Sequence, residues 1–211
     1  MVQDGSGRHR ASESCFLGQC TQETAWFRTA MTRALVLIDC QTGFDDERWG
    51  VRNNPRFEEN ARSLLEHWRV SNWPVVHVRH ASQELDSPLG MKEPGFAFMD
   101  WAEPLAGETE LVKAVNSGFI GTNLEAILRQ SGVVDVVMAG LTTNHCVSTT
   151  VRMAGNLGFN VELVGDACAA FERQGVGGEV FAADLVHRTA LASLHGEFCT
   201  VVPVADIVTA G

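Results

Sequence analysis

Short apolar runs rich in β-branched residues alternate along this chain with longer segments of helical period, which predicts strands and helices in turn. Ala34 to Ile38 is continuously apolar and ends at Asp39, the pattern of a central parallel strand buried on both faces. Asn53 to Arg69 reads as a helix with Phe57, Ala61, Leu64, Leu65 and Trp68 on one face. Pro74 to Arg79 and Glu110 to Val115 read as strands, and Thr122-Asn123-Leu124-Glu125 as a capping box opening a helix that stops at Gly132. Val134 to Gly140 is a fourth strand. After a short polar turn the spacing of Val147, Val151, Ala154 and Leu157 becomes helical, with Gly158 as its stop. Val161 to Val164, a helix from Glu179 to Leu194 closed by Gly196, and a strand from Cys199 to Val202 complete the series. Strands alternating with helices predict an α/β fold in which helices cover both faces of a parallel sheet.

Two stretches fall outside this rhythm. Residues 1–30 carry no periodicity and no apolar core of a secretory signal, and read as a loosely ordered extension ahead of a single domain over 31–211. Residues 81–107 form a long irregular segment with Pro88, Pro94, Pro104 and several aromatics; loops of this length usually cover a site or make a subunit contact.

Composition narrows the function. A net charge of −10 argues against nucleic acid or an anionic membrane as partner. No apolar stretch is long enough to span a bilayer. The six cysteines show neither disulfide-scaffold spacing nor paired zinc motifs, which suits a reducing cytoplasm. No serine-nucleophile elbow, phosphate-binding P-loop or dinucleotide fingerprint is present.

The candidate chemistry lies at predicted strand ends. Cys146 sits where the fourth strand hands over to a helix, and a thiol at a helix N-terminus has its anion stabilised by free N–H groups. Asp39 ends the first strand and Lys113 lies on the third. In an open α/β sheet the carboxyl ends of strands converge on one crevice, so these three distant residues can meet. Asp39 and Lys113 could instead be a buried structural ion pair. With a thiol beside them, the carboxylate can accept the thiol proton and the ammonium can favour the thiolate.

Three stretches, Leu37-Ile38-Asp39-Cys40-Gln41-Thr42-Gly43-Phe44, Val112-Lys113-Ala114-Val115-Asn116-Ser117-Gly118-Phe119 and Gly140-Leu141-Thr142-Thr143-Asn144-His145-Cys146-Val147, resemble the isochorismatase-like cysteine hydrolases from about Thr32 onwards. The resemblance implies a three-layer α/β/α sandwich with a six-stranded, mostly parallel sheet. It also implies an Asp39–Lys113–Cys146 triad, a cis peptide at Leu141–Thr142, and an oxyanion hole from the backbone N–H groups of Thr142 and Cys146. The activity it implies is hydrolysis of a C–N bond in a small amide or ureido-type substrate through a thioester. No organic cofactor is implied, and a homo-oligomer, dimer or tetramer, is expected.

Within that family, nicotinamidases hold a metal on an Asp and two His after the second strand. Here His77 and His80 would point to opposite faces of a strand, so no metal is expected. Isochorismatases proper cleave a vinyl ether and lack the nucleophilic cysteine, so Cys146 argues against that activity. Gln41, Phe44, Phe119 and His145 are candidate substrate-binding residues, His145 being equally a turn residue; Arg79 and His80 reach either the pocket rim or a subunit contact. Phe96, Phe98 and Trp101 cover the pocket, meet a neighbouring subunit or pack into the core. The rival from another class is a non-catalytic binding module on the same fold, in which Cys146 would alkylate no faster than the buried cysteines.

Overall fold

The computed structural model describes residues 33–209, so the expectations for residues 1–30, with Cys15 and Cys20, lie outside the described residues. Six strands form one parallel sheet: β1 (Arg33–Ile38), β2 (Val75–His80), β3 (Thr109–Lys113), β4 (Asp135–Leu141), β5 (Asn160–Ala169) and, near the C-terminus, β8 (Thr200–Val202). Their spatial order is β3-β2-β1-β4-β5-β8. The chain winds outward from β1 in one direction through β3 and then, from β4, in the other. The switch point therefore lies between β1 and β4, where open α/β sheets bind ligands.

Side-chain alternation on the strands sorts the core into two layers. Leu35 and Leu37 of β1 join Val137 and Ala139 of β4 beneath α1 (Phe57–Val70), which contributes Phe57, Ala61, Leu64, Leu65 and Trp68. Ala34, Val36 and Ile38 point the other way, against Leu124 and Leu128 of α2 (Leu124–Gln130), Val151 and Ala154 of α3 (Ser148–Asn156), and Leu191 of α4 (Ala183–Ala192). A short α5 (Val204–Val208) returns to the first face through Ile207. The fold is thus an α/β/α sandwich.

Several boundaries depart from the sequence reading for local reasons. α1 starts at Phe57 because Asn53 and Asn54 are spent elsewhere: Asn53 Oδ1 accepts from the Ala170 N–H (2.8 Å), and Asn54 Nδ2 donates to the carbonyls of Asp166 and Cys168 (2.8 Å each). α4 starts at Ala183 because Arg173–Gln174 (β6) and Val180–Phe181 (β7) pair as an antiparallel hairpin. The predicted capping box does not form: α2 is capped at Asn123 with no side-chain bond, Glu125 accepts from Arg129 (2.8 Å), and Thr122 Oγ1 accepts from the Leu124 N–H (3.3 Å) while donating to the Gly118 carbonyl (2.5 Å).

Gly140 is required by the switch point. Its φ is +132°, and a Cβ there would lie 2.0 Å from the Ile38 carbonyl oxygen of the neighbouring strand. The register between β4 and β5 shifts between Met138 and Gly140. This irregularity carries the chain out of the sheet toward Thr142, and the Leu141–Thr142 peptide is cis.

Candidate active site

Asp39, Lys113 and Cys146 meet at the carboxyl edge of the sheet. Asp39 leaves β1 with φ 51°, a left-handed conformation that aspartate tolerates better than most side chains. Its N–H donates to the Val78 carbonyl (2.7 Å), tying the turn to β2. Lys113 closes β3, two strands away from β1. Adjacent strands lie about 4.8 Å apart, so a side chain of lysine length is needed to cross the end of β2. Lys113 Nζ reaches Asp39 Oδ2 at 2.7 Å, with both residues sealed from solvent (1% and 0% exposed).

Crossing β2 brings the ammonium against His80, which is paired with Lys113 in the sheet register. Nζ lies 3.2 Å from His80 Nδ1. Burial first, then the Lys113 charge, holds the His80 pKa below the ordinary histidine value, against the opposing pull of Asp39. The ring is therefore neutral near pH 7, with Nδ1 accepting from the ammonium. His77 has a separate role: Nε2 meets Glu108 Oε2 at 2.8 Å inside the sheet, so the two histidines diverge as their strand spacing requires.

Cys146 lies in a π-helical turn, Thr143–Val147, that runs directly into α3. The N–H groups of His145 and Val147 both donate to the Thr142 carbonyl (3.0 and 3.3 Å). Behind the turn, Thr143 Oγ1 is 2.8 Å from Nδ1 of His187 on α4, both residues being buried. Cys146 Sγ lies 3.9 Å from Asn116 Oδ1. The loop carrying Asn116 is fixed to α3 in turn by the Gly118 N–H, which donates to Thr150 Oγ1 (2.9 Å).

Burial raises the Cys146 thiol well above its ordinary pKa; the Asp39 carboxylate adds to the rise and the Lys113 ammonium only partly opposes it. The sequence argument favoured a thiolate at a helix N-terminus. The structure reverses that expectation, because Cys146 is 8% exposed, inside an irregular turn, and shares Lys113 with a carboxylate 2.7 Å from it. At rest Cys146 is a neutral thiol beside a carboxylate.

One donor atom each from Asp39, His80 and Cys146 lie within 4.8 Å of one another, the group among the described residues with metal-ligand character. The Lys113 ammonium already contacts two of the three, and a fixed cation there disfavours a divalent ion. The cluster is better matched to an ammonium surrounded by acceptors.

A cavity of about 370 Å³ opens over Cys146. Phe44, Trp49 and Phe171 give it an aromatic wall, with ring centroids 5.4 to 6.1 Å apart. His80, Asn116, Thr142, Asn144, His145 and Arg173 supply its polar side. Ser82, Glu84, Ser87 and Leu89 bring the start of the long irregular segment over it. Of the four residues expected to bind substrate, Phe44 and His145 line this cavity. Gln41 does not. Its fully buried amide accepts from the His80 N–H (2.7 Å) and donates to the carbonyls of His80 and Phe96 (3.1 and 3.2 Å), joining two segments that frame the site. Phe119 does not either; it packs on Phe159 in the α2–α3 core, centroids 6.1 Å apart. Arg79 pairs with Glu110 and lies over Phe96 and Phe98 (4.2 and 5.0 Å to the centroids), away from the cavity. Trp101 meets Phe57 edge-on in the core (6.0 Å).

The isochorismatase-domain family model matches residues 33–206, nearly the whole of the described chain. The chain belongs to the isochorismatase family. Among its relatives, the Bacillus subtilis isochorismatase family protein YrdC is 43% identical over 176 residues, covering 83% of this chain and 94% of that one. The crystal structure of an isochorismatase-family protein from Chromobacterium violaceum superposes with a TM-score of 0.83 at 45% identity, covering 86% of this chain and 94% of the other. An N-carbamoylsarcosine amidase from Thermoplasma acidophilum shares the fold at a TM-score of 0.65 and 28% identity, over 82% of this chain and 97% of its own. This isochorismatase-family hydrolase therefore has an N-carbamoylsarcosine amidase among its structural relatives.

Proposed function

We propose that the protein is a cysteine hydrolase that cleaves the C–N bond of a small amide or ureido-type substrate. One observation carries the reading: Asp39, held in a buried pair with the Lys113 ammonium, has a carboxylate oxygen within 4.8 Å of the Cys146 sulfur, and Cys146 lines a small cavity. A binding module has no use for that combination, since removing two charges from water is costly. The similarity to an amidase supports the choice of bond.

Asp39 takes the Cys146 proton as Sγ attacks the carbonyl carbon, so thiolate forms only as it is consumed. Lys113 remains cationic and balances the negative charge passing between Asp39 and the tetrahedral intermediate. We assign the backbone N–H groups of Thr142 and Cys146 to the oxyanion, the role in which fixed donors contribute most. Collapse of the intermediate breaks the C–N bond as Asp39 returns its proton to the leaving nitrogen, giving a thioester and free ammonia or amine. Asp39 then deprotonates water, water attacks the thioester, and acid product and thiol are released.

Mass spectrometry of acid-quenched turnover tests this step. A covalent adduct confined to the Cys146 peptide and equal in mass to the acyl fragment is expected. Turnover with no adduct under conditions that slow water attack would argue for direct hydrolysis instead.

A further inference from the structure

Most described arginines pair with a carboxylate. Arg152 instead lies over the Phe198 ring (4.6 Å to its centroid) and donates to the Ser193 carbonyl (3.3 Å). Arg173 has none of these partners among the described residues. It is half-buried at the start of the β6–β7 hairpin, and its Nη2 lies 2.7 Å from Nδ1 and 3.1 Å from Nε2 of His145. A neutral imidazole orients a guanidinium but leaves its charge unbalanced. His145 is held neutral, its pKa lowered first by desolvation and then by the Arg173 charge.

Arg173 lines the same cavity as Cys146. The other cation behind that cavity, Lys113, is balanced by Asp39, so the unbalanced positive charge inside belongs to Arg173. Glu84, also on the cavity lining, is exposed. A chain of net charge −10 repels small anions in bulk, so a cation without a partner beside the nucleophile has a directional use. The flat guanidinium matches a carboxylate in two parallel hydrogen bonds. In the same cavity as Arg173 and Cys146, the wall of Phe44, Trp49 and Phe171 offers apolar surface for a short carbon chain.

We propose that Arg173 is the anion-binding residue of this pocket and that the substrate is a short amide or ureido compound bearing a carboxylate. The carboxylate sits on Arg173 while the scissile carbonyl lies over Cys146. The anion site stands on the unbalanced charge; the scissile bond rests on the function proposed above.

Two reagents of nearly equal size separate these parts. Iodoacetate and iodoacetamide both alkylate a thiol, but only iodoacetate carries a carboxylate. Rate constants at Cys146, read by peptide mass mapping, give an iodoacetate-to-iodoacetamide ratio for the wild type and for Arg173→Gln. Hydrogen bonds to a charged group are worth enough for a roughly 10- to 100-fold fall in that ratio in the variant. The iodoacetamide rate is an internal check that the site remains folded. An unchanged ratio overturns the anion site, whatever the enzyme hydrolyses.

The hydrolysis of succinamate and of butyramide is then measured with both proteins. Preference for succinamate in the wild type, lost in Arg173→Gln through a raised KM, supports both parts. Equal hydrolysis of the two amides by the wild type leaves the hydrolase reading intact and overturns the carboxylate preference. No hydrolysis of either amide, with the alkylation ratio still dependent on Arg173, supports the anion site and counts against the amide reading.

Discussion

Replacing Lys113 by Met removes the ammonium from a pair that is closed to water while keeping most of the side-chain volume. Asp39 and Lys113 are 0% and 1% exposed; Asp39 Oδ2 accepts from Lys113 Nζ at 2.7 Å, and Asp39 Oδ1 has no hydrogen-bond partner among the described residues. The substitution strands a carboxylate in the core, and breaking a buried pair by deleting one partner costs about 3–5 kcal/mol. For a domain of this size each kcal/mol moves the melting temperature by roughly 2–4 °C, so a drop of roughly 6–20 °C is expected. Removing both charges, in Asp39→Asn with Lys113→Met, should recover most of that loss, because a buried ion pair is worth little against neutral groups of similar shape. Neither variant should turn over. Urea denaturation of the wild type, the two single variants and the double variant gives the coupling directly. If Lys113→Met unfolds within about 1 kcal/mol of the wild type, the pair is not the sealed, mutually dependent unit described above.

Three further expectations follow from the surrounding contacts. His80→Asn removes a ring that must stay neutral to accept from Lys113; the wild type should lose kcat/KM in acid as His80 protonates below the ordinary histidine value, and the variant's acid limb should move. Burial alone would raise the Glu108 pKa, but bonds from Arg69, the Leu105 N–H and His77 bring it down to about 2. Because its folded value is depressed, the stability it provides is complete above the unfolded value near 4.5 and is lost as pH falls toward 2. Glu108→Gln should therefore be less stable than the wild type at pH 7 and converge with it in acid, read by thermal melts across that range. Gln41→Leu should lower stability by about 1–3 kcal/mol, since it leaves the His80 N–H and two carbonyls unpaired. A variant that instead kept its stability and changed KM alone would return Gln41 to the pocket wall.

That Asp39, Lys113 and Cys146 meet was legible in the sequence because Asp39 and Cys146 follow apolar runs that give way to polar residues and Lys113 lies on a strand of the same sheet. Asp39 follows Ile38, and Cys146 follows the β4 turn, so one rule about open sheets brings them together. Gln41 and Phe119 were misplaced because nearness in sequence to Asp39 and Lys113 says nothing about where a loop side chain points. His80 was seen only as a rim or subunit-contact candidate, since its place beside Lys113 depends on the register of β2 with β3. Arg173 could not be ranked from sequence. It lies in a two-residue strand ahead of Gly175–Gly178, in a segment whose pairing with Val180–Phe181 overrides the helical period read from Glu179 onwards. The thiol's protonation state was misjudged for a different reason: helix-terminus arguments assume a solvated N-terminus, and this one is a buried π turn.

The central claim, that Cys146 is the nucleophile of an amide hydrolase, meets its most direct test in ammonia release. Wild type and Cys146→Ala are compared across a panel of small amides, ureides and carbamoyl compounds, with and without a carboxylate. The account predicts release from at least one carboxylate-bearing member by the wild type and none above background from the variant. Equal release by a folded Cys146→Ala protein would contradict it.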